Sequence, residues 1–114
     1  MTATYPDAAR FDTCPKLLVH NAQTRPDAVA MREKDFGIWR EMTWREYAET
    51  VKLMALGLES LGIGRGDVVA LIGDNDTRWV CGELAAHCVR AMSLGIYRDA
   101  LDEEVFYLAD YAGV

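Results

Sequence analysis

No stretch of this chain approaches the roughly 20 consecutive apolar residues that a membrane-spanning helix requires, so its 114 residues hold no helical span. Clustered cations are missing as well. The 12 Lys and Arg are scattered among 18 Asp and Glu, for a formal net charge of −6 and a pI near 4.8. Phosphate backbones are held by clustered Lys and Arg, so nucleic acid is excluded as the main partner. Paired cysteines are absent: there are three, at no close spacing. An odd, unpaired set suits a reducing compartment. Residues 1–10 lack the basic start and apolar core of a secretory signal, and Pro6 and Asp7 interrupt them. The expected location is therefore the cytoplasm. The sequence has no internal repeat and no low-complexity segment.

What is present reads as folded protein. Apolar residues make up 51% and charged residues 26%, a balance that excludes disorder. Length allows one modest domain. Residues 1–12 read as a flexible amino-terminal arm. Thr13 is placed to cap a helix, with Pro15 in its first turn. That helix runs to about Thr24, ends at Arg25-Pro26, and buries Leu17, Leu18 and Ala22. A strand over residues 28–33, with Val29 and Met31 on one face, is followed by the turn Lys34-Asp35-Phe36-Gly37. A second strand over residues 38–42 completes a hairpin.

Thr43 and Glu46 have the spacing of a capping box. Behind them Trp44, Tyr47, Val51, Met54, Leu58 and Leu61 recur at helical spacing, and Gly62 is suited to end that helix. Val68-Val69-Ala70-Leu71-Ile72 is a continuous apolar run, as in a strand buried on both faces. Gly73-Asp74-Asn75-Asp76 leads into a mostly apolar helix to about Arg90, and a short strand follows over residues 92–97. Strand, helix and strand with such short links predict a parallel βαβ unit. A last helix from Leu101 to about Ala112 has Leu101, Val105, Leu108 and Ala112 on one face. The class is α/β, and a hairpin plus two parallel strands leave the sheet incomplete. The expectation is a part of something larger.

Several groups have the residue types of a site. Gly62, Gly64 and Gly66 follow a helix and precede a strand, the reverse of a phosphate loop, and lack its Gly-Lys-Ser/Thr ending. Gly73-Asp74-Asn75 stands at the carboxyl end of a parallel strand, where ligands often bind. Its acids oppose phosphate, so helix capping by Asn75 or Asp76 is the simpler role. Cys81 and Cys88 lie two helical turns apart, too far to share a metal, and read as buried residues. Glu83 and His87 form an i,i+4 pair suited to a local contact. His20 has no evident partner. Ser60 and Ser93 lack the setting of a nucleophile elbow. Trp39, Trp44 and Trp79 read as core.

A resemblance runs through nearly the whole chain after Phe11. Its blocks begin with Thr13-Cys14-Pro15-Lys16-Leu17-Leu18 and Pro26-Asp27-Ala28-Val29-Ala30. Arg32-Glu33-Lys34-Asp35-Phe36-Gly37-Ile38-Trp39 and Thr43-Trp44-Arg45-Glu46-Tyr47 come next. Gly57-Leu58 then leads to Leu61-Gly62-Ile63-Gly64-Arg65-Gly66-Asp67-Val68-Val69-Ala70. Asn75, Trp79, Glu83-Leu84-Ala85-Ala86 and Met92-Ser93-Leu94-Gly95-Ile96-Tyr97 complete the series. Their order and spacing resemble the start of the AMP-forming, or adenylate-forming, acyl-CoA synthetases, especially the long-chain-fatty-acid–CoA ligase type.

The resemblance implies an incomplete amino-terminal part of that family's large domain over residues 13–114. In the intact family a fatty acid carboxylate attacks ATP-Mg²⁺ to give acyl-AMP and diphosphate. The CoA thiol then displaces AMP to form acyl-CoA. The Ser/Thr/Gly-rich loop, the Thr-Glu pair serving Mg²⁺, the ribose-binding Asp and the mobile Lys all lie downstream of the matched region. No catalytic, cofactor-binding or metal residue carries over to this chain. ATP, Mg²⁺ and CoA are expected in the intact enzyme, which is implied to be cytoplasmic or membrane-peripheral, and not on these residues. The expected partner is the rest of the parent synthetase. A stand-alone non-catalytic α/β interaction module is the alternative. Two positions depart from the family: Arg90 stands where a small residue, often Gly, is common, and Thr77-Arg78 replaces a frequent Pro-Glu. An Arg in a left-handed helix end costs roughly 1 kcal/mol.

Overall fold

The computed structural model describes residues 5–114. Thr13 caps α1 (Cys14–Thr24), its hydroxyl accepting from the Lys16 N–H at 3.3 Å, and Pro15 occupies the first turn. Leu18 is buried, with Leu17 and Ala22 half-buried beside it. The arm expected over residues 1–12 falls partly outside the described residues. Within residues 5–12, Asp7 accepts the backbone N–H groups of Ala9, Arg10 and Phe11. His20 does have a partner: its ring lies 4.4 Å from that of Phe11.

β1 (Val29–Asp35) and β2 (Ile38–Thr43) pair antiparallel. Their two-residue turn, Phe36-Gly37, has φ of 49° and 81°, the geometry that matches the twist of a hairpin. The strands reach further into the predicted turn than expected. The expectation that Val29 and Met31 share a face fails, because the register shifts between them. The extra residue of a bulge breaks the alternation. Ala30 and Met31 therefore turn to the core, while Val29 is exposed.

α2 (Trp44–Ser60) begins with the predicted capping box: Glu46 N–H donates to Thr43 Oγ1, and Thr43 N–H donates to Glu46 Oε2. Tyr47 and Val51 are its buried residues. Leu61, read as part of the apolar stripe, is 78% exposed. It lies past the last helical turn, where Gly62 takes φ 85° and turns the chain away.

β3 (Val68–Gly73), α3 (Thr77–Cys88) and β4 (Met92–Tyr97) form the parallel βαβ unit, with Val68 opposite Met92 and Gly73 opposite Tyr97. The two pairs of strands remain separate sheets. α3 is the centre of the molecule. Cys81, Ala85 and Ala86 are fully buried, between Leu18, Tyr47 and Val51 on one side and the β3–β4 sheet on the other. α4 (Asp102–Ala112) rests on β4 and buries no residue completely. β3 is not buried on both faces. All its residues are half-buried except Ile72, which is exposed, since α3 covers one face and the other has little cover.

That openness is measurable. The accessible surface is 8525 Å², against about 6200 Å² for a compact monomer of this mass. The radius of gyration is 15.8 Å, against about 13 Å for a compact chain of this length.

Arg90 adopts φ 66° just beyond α3, the left-handed position that its place in the sequence predicts. Its backbone N–H donates to His87 O, and the next residue, Ala91, is buried. Replacing Arg90 with Gly removes the Cβ penalty, partly offset by a more flexible unfolded chain. Urea denaturation of Arg90→Gly is expected to show a gain of about 0.5–1 kcal/mol, and a loss would contradict the assigned backbone.

Burial pushes the Tyr47 phenol up to about 12 from its ordinary value near 10. Below pH 10 the phenol is protonated whether the chain is folded or not. Above it the unfolded chain loses the proton first, so stability falls as pH rises from 10 to about 12. Chemical denaturation across that window is expected to show a shallower decline for Tyr47→Phe than for the parent chain.

Candidate functional site

The carboxyl ends of β3 and β4 open onto a cleft of about 540 Å³, the position where open α/β sheets bind ligands. Gly73, Asp74, Asn75 and Trp79 line one side, and Gly95, Tyr97, Arg98 and Asp99 the other. Gly95 leaves space for the Trp79 ring: a Cβ at this position would stand 3.0 Å from it, close enough that the ring would have to shift.

The one cation lining this cleft, Arg98, is already shared between two carboxylates. Arg98 Nη1 meets Asp74 Oδ1 at 2.6 Å, and its Nε lies 3.6 Å from Asp99. Arg78 holds Asp76 Oδ2 at 2.8 Å. The hydrogen bond from Arg78, followed by that from the Trp79 N–H, holds the Asp76 carboxyl below its ordinary range. Asp76, and not Asn75, is the cap of α3, accepting the Trp79 N–H at 3.0 Å.

A second carboxylate caps the same helix from a distance. Glu33 of β1 accepts the Thr77 N–H and the Thr77 hydroxyl, both at 3.2 Å. A helix start attracts phosphate because its N–H groups are free. Here the N–H groups of residues 77 and 79 are spent on carboxylates of the chain itself. The arrangement can anchor the hairpin to α3, and an incoming phosphate would face Asp74, Asp76 and Asp99. Sequence reasoning missed both Glu33 and Arg98. Their partners lie 44 and 24 residues away, and no local pattern marks such contacts.

The predicted pair Glu83 and His87 is joined through a third residue. Ser93 of β4 lies 3.0 Å from His87 Nε2 and donates to Glu83 Oε1 at 3.3 Å. Serine is the middle member, and its proton points to the glutamate. A nucleophilic serine instead gives its proton to a central histidine. This chain of bonds therefore clips α3 to β4 and does not activate Ser93.

The remaining sequence candidates are dispersed. Among the described residues no three His, Cys, Asp or Glu side chains gather as a metal site. Cys81 is buried as expected, but Cys88 and Cys14 are exposed. Cys88 is the last residue of α3, where the helix leaves the core. Trp44 stacks with Tyr47 at 5.9 Å, and Trp79 packs over Gly95. Trp39 is 63% exposed, on the outer side of the hairpin, and so is not core. The Gly62–Gly66 loop is a turn, closed by the Gly64 N–H donating to Asp67 Oδ2 at 2.7 Å.

Ser93→Ala removes both bonds of the clip while leaving Glu83 and His87 half-buried. A loss of about 1–2 kcal/mol in denaturant unfolding is expected, and an unchanged midpoint would show that the clip carries no stability.

The profile of the AMP-binding enzyme family matches residues 18–114. Over 88 residues the chain is 40% identical to the uncharacterised protein Rv1549 of Mycobacterium tuberculosis, covering 77% of this chain and 49% of that one. It is 29% identical over 94 residues to the long-chain-fatty-acid–CoA ligase FadD15 of Mycobacterium bovis, covering 82% of this chain and 16% of the ligase. The fatty acid AMP ligase from Legionella pneumophila superposes with a TM-score of 0.88 at 14% identity, over 97% of this chain and 20% of that one. That last likeness is one of fold. The chain thus spans about half the length of the first relative and about a sixth of the ligase. With the family profile spanning residues 18–114, this chain belongs to the AMP-binding enzymes and corresponds to an amino-terminal segment of these adenylate-forming proteins.

Proposed function

We propose that these residues form the outer amino-terminal part of an AMP-forming long-chain-fatty-acid–CoA ligase, and that by themselves they carry out no chemistry. The observation that carries this reading is the match to FadD15, which takes in 82% of this chain but 16% of the ligase. Two structural features support it. The N–H groups of residues 77 and 79 are occupied by Glu33 and Asp76, leaving little to stabilise a phosphoryl group there. The accessible surface of 8525 Å² also exceeds that of a compact monomer by roughly 2300 Å², the scale of a large obligate interface and not of a transient one. ATP, Mg²⁺, CoA and the fatty acid belong on this reading to the rest of the synthetase, which is also the main partner of these residues. A cytoplasmic location goes with it, and no helix of the described residues is long and apolar enough to cross a membrane.

The test is ATP–pyrophosphate exchange by the 114-residue chain with palmitate and Mg²⁺. No exchange above the protein-free blank is expected. Exchange at a rate typical of an acyl-CoA ligase would overturn the proposal.

A second reading has one observation in its favour. The M. tuberculosis relative is only about twice as long as the stretch it shares with this chain, far shorter than the ligase. A stand-alone non-catalytic interaction module of this family is consistent with such a length. Size-exclusion chromatography and a near-UV circular dichroism melt separate the two. A compact, cooperatively melting species favours the module, and an aggregating or molten one favours the partial domain.

A further inference from the structure

A cavity of about 910 Å³ is walled by α1, the start of α2 and the middle of α3. It shares no lining residue with the cleft at the strand ends. Leu17 and Leu18 of α1, Leu84 of α3, and Trp44 and Tyr47 of α2 give it apolar walls. Among the described residues no Asp or Glu lines it, although the chain carries 18 acids. Small-molecule sites combine apolar walls with a few fixed polar groups.

Two such groups are present. Tyr47 is 8% exposed, and among the described residues its hydroxyl makes no hydrogen bond. No buried side-chain oxygen is left without a partner, so the accessible remnant of Tyr47 includes that hydroxyl. Tyr47 lines this cavity, and the hydroxyl opens there. Burial pushes the phenol up to about 12, so at neutral pH it keeps its proton and is a donor. A donor so enclosed is unfavourable unless an acceptor is supplied.

Arg25 is the second group. Arg32, Arg40, Arg45, Arg78 and Arg98 each hold a carboxylate, and among the described residues Arg25 holds none. Its Nε donates to Asn21 Oδ1 at 3.3 Å, and its guanidinium lies 5.2 Å from the centre of the Trp44 ring. Those contacts orient the group and leave its two terminal nitrogens for a carboxylate. The Tyr47 ring lies 5.9 Å from the same Trp44 ring. The two donors therefore stand within the span of one fused-ring molecule.

A guanidinium fork, a protonated phenol and no lining acid select an anion with a second oxygen. Leucine walls beside two aromatic rings select a flat apolar body between them. We propose that this cavity binds a hydroxyaryl carboxylate, its carboxylate on Arg25 and its far oxygen on the Tyr47 hydroxyl. The site goes beyond the proposed function, because it uses neither the strand-end cleft nor ATP, Mg²⁺ or CoA.

The test is isothermal titration calorimetry of the full chain with 6-hydroxy-2-naphthoate in the absence of ATP. Saturable binding at one site is expected. Arg25→Gln should weaken it about tenfold. Tyr47→Phe should weaken it about fivefold, yet leave the affinity for 2-naphthoate, which lacks the far oxygen, within about twofold. Arg98→Gln, in the strand-end cleft, is the control and should stay within about twofold of the parent. Circular dichroism checks that each variant is folded. If Tyr47→Phe is not, the comparison of the two naphthoates on the parent chain replaces it, with about fivefold weaker binding of 2-naphthoate expected. Absence of saturable binding would overturn the proposal, as would equal losses with Arg25→Gln and Arg98→Gln. Octanoate binding more tightly than either naphthoate would overturn the flat-ring assignment. None of these results depends on ATP–pyrophosphate exchange, so failure here and failure of the proposed function are separate outcomes.

Discussion

The close approach of α3 to both of its neighbouring layers is the constraint on which the rest of this molecule depends. Cys81, Gly82, Ala85 and Ala86 give the helix a surface with almost no side-chain bulk, and all four are buried. A Cβ at Gly82 would lie 3.0 Å from Leu71 Cδ2 and 3.6 Å from Met54 Cε. One helix thus touches β3 on one side and α2 on the other, and a larger residue at Gly82 would have to push the Leu71 side chain aside. Packing at that density transmits any change in volume to both layers. The positions of Gly95 beneath Trp79, and of the cleft at the strand ends, follow from this spacing.

The polar ends of α3 complete what its small residues begin. At the amino end Glu33 and Asp76 take up backbone donors that burial would otherwise leave unpaired. Glu33 ties the hairpin to the βαβ unit through one part-buried contact. Near the carboxyl end the Glu83–Ser93–His87 bonds fasten the helix to β4. The groups most suggestive of chemistry are thus consumed in holding elements together. What they leave is a well-joined helical layer over a two-stranded parallel sheet whose other face, apart from α4, lacks cover.

This combination accounts for the relation between the chain and its family. The match to the AMP-binding enzymes is nearly complete across this chain and small as a share of the long-chain ligase. The sequence blocks that resemble that family run from α1 to β4, and those at the end of α2, in β3 and along β4 belong to the elements that pack on α3. The exposed tip of the hairpin and the exposed aromatic side of α4, with Phe106, Tyr107 and Tyr111, lie away from that packing centre.

Local chemistry made much of this fold legible in advance. The Thr43–Glu46 capping box, the Thr13 cap with Pro15, the left-handed positions of Gly37, Gly62 and Arg90 and the parallel βαβ unit are all set by residues within a few positions of one another. Where the reading failed, distant contacts decided. The bulge at Ala30 reverses which side chains of β1 face the core. Trp39, Leu61 and Cys88 have the composition of core residues but stand beyond the edge of the packed layers. His20 finds Phe11 across a turn. The candidate cleft does lie at the end of β3, as its sequence indicates, but its charge balance was not legible there, since Arg98 reaches Asp74 from the other strand. By itself the sequence determined the elements, the caps of α1 and α2, the order of the elements and the family, because those depend on short-range sterics, hydrogen bonding and apolar periodicity. Only the tertiary structure decided which carboxylate caps α3, that Ser93 stands between Glu83 and His87, and how much apolar surface is left uncovered. Those outcomes depend on which residues far apart in the chain the dense packing around α3 brings within reach.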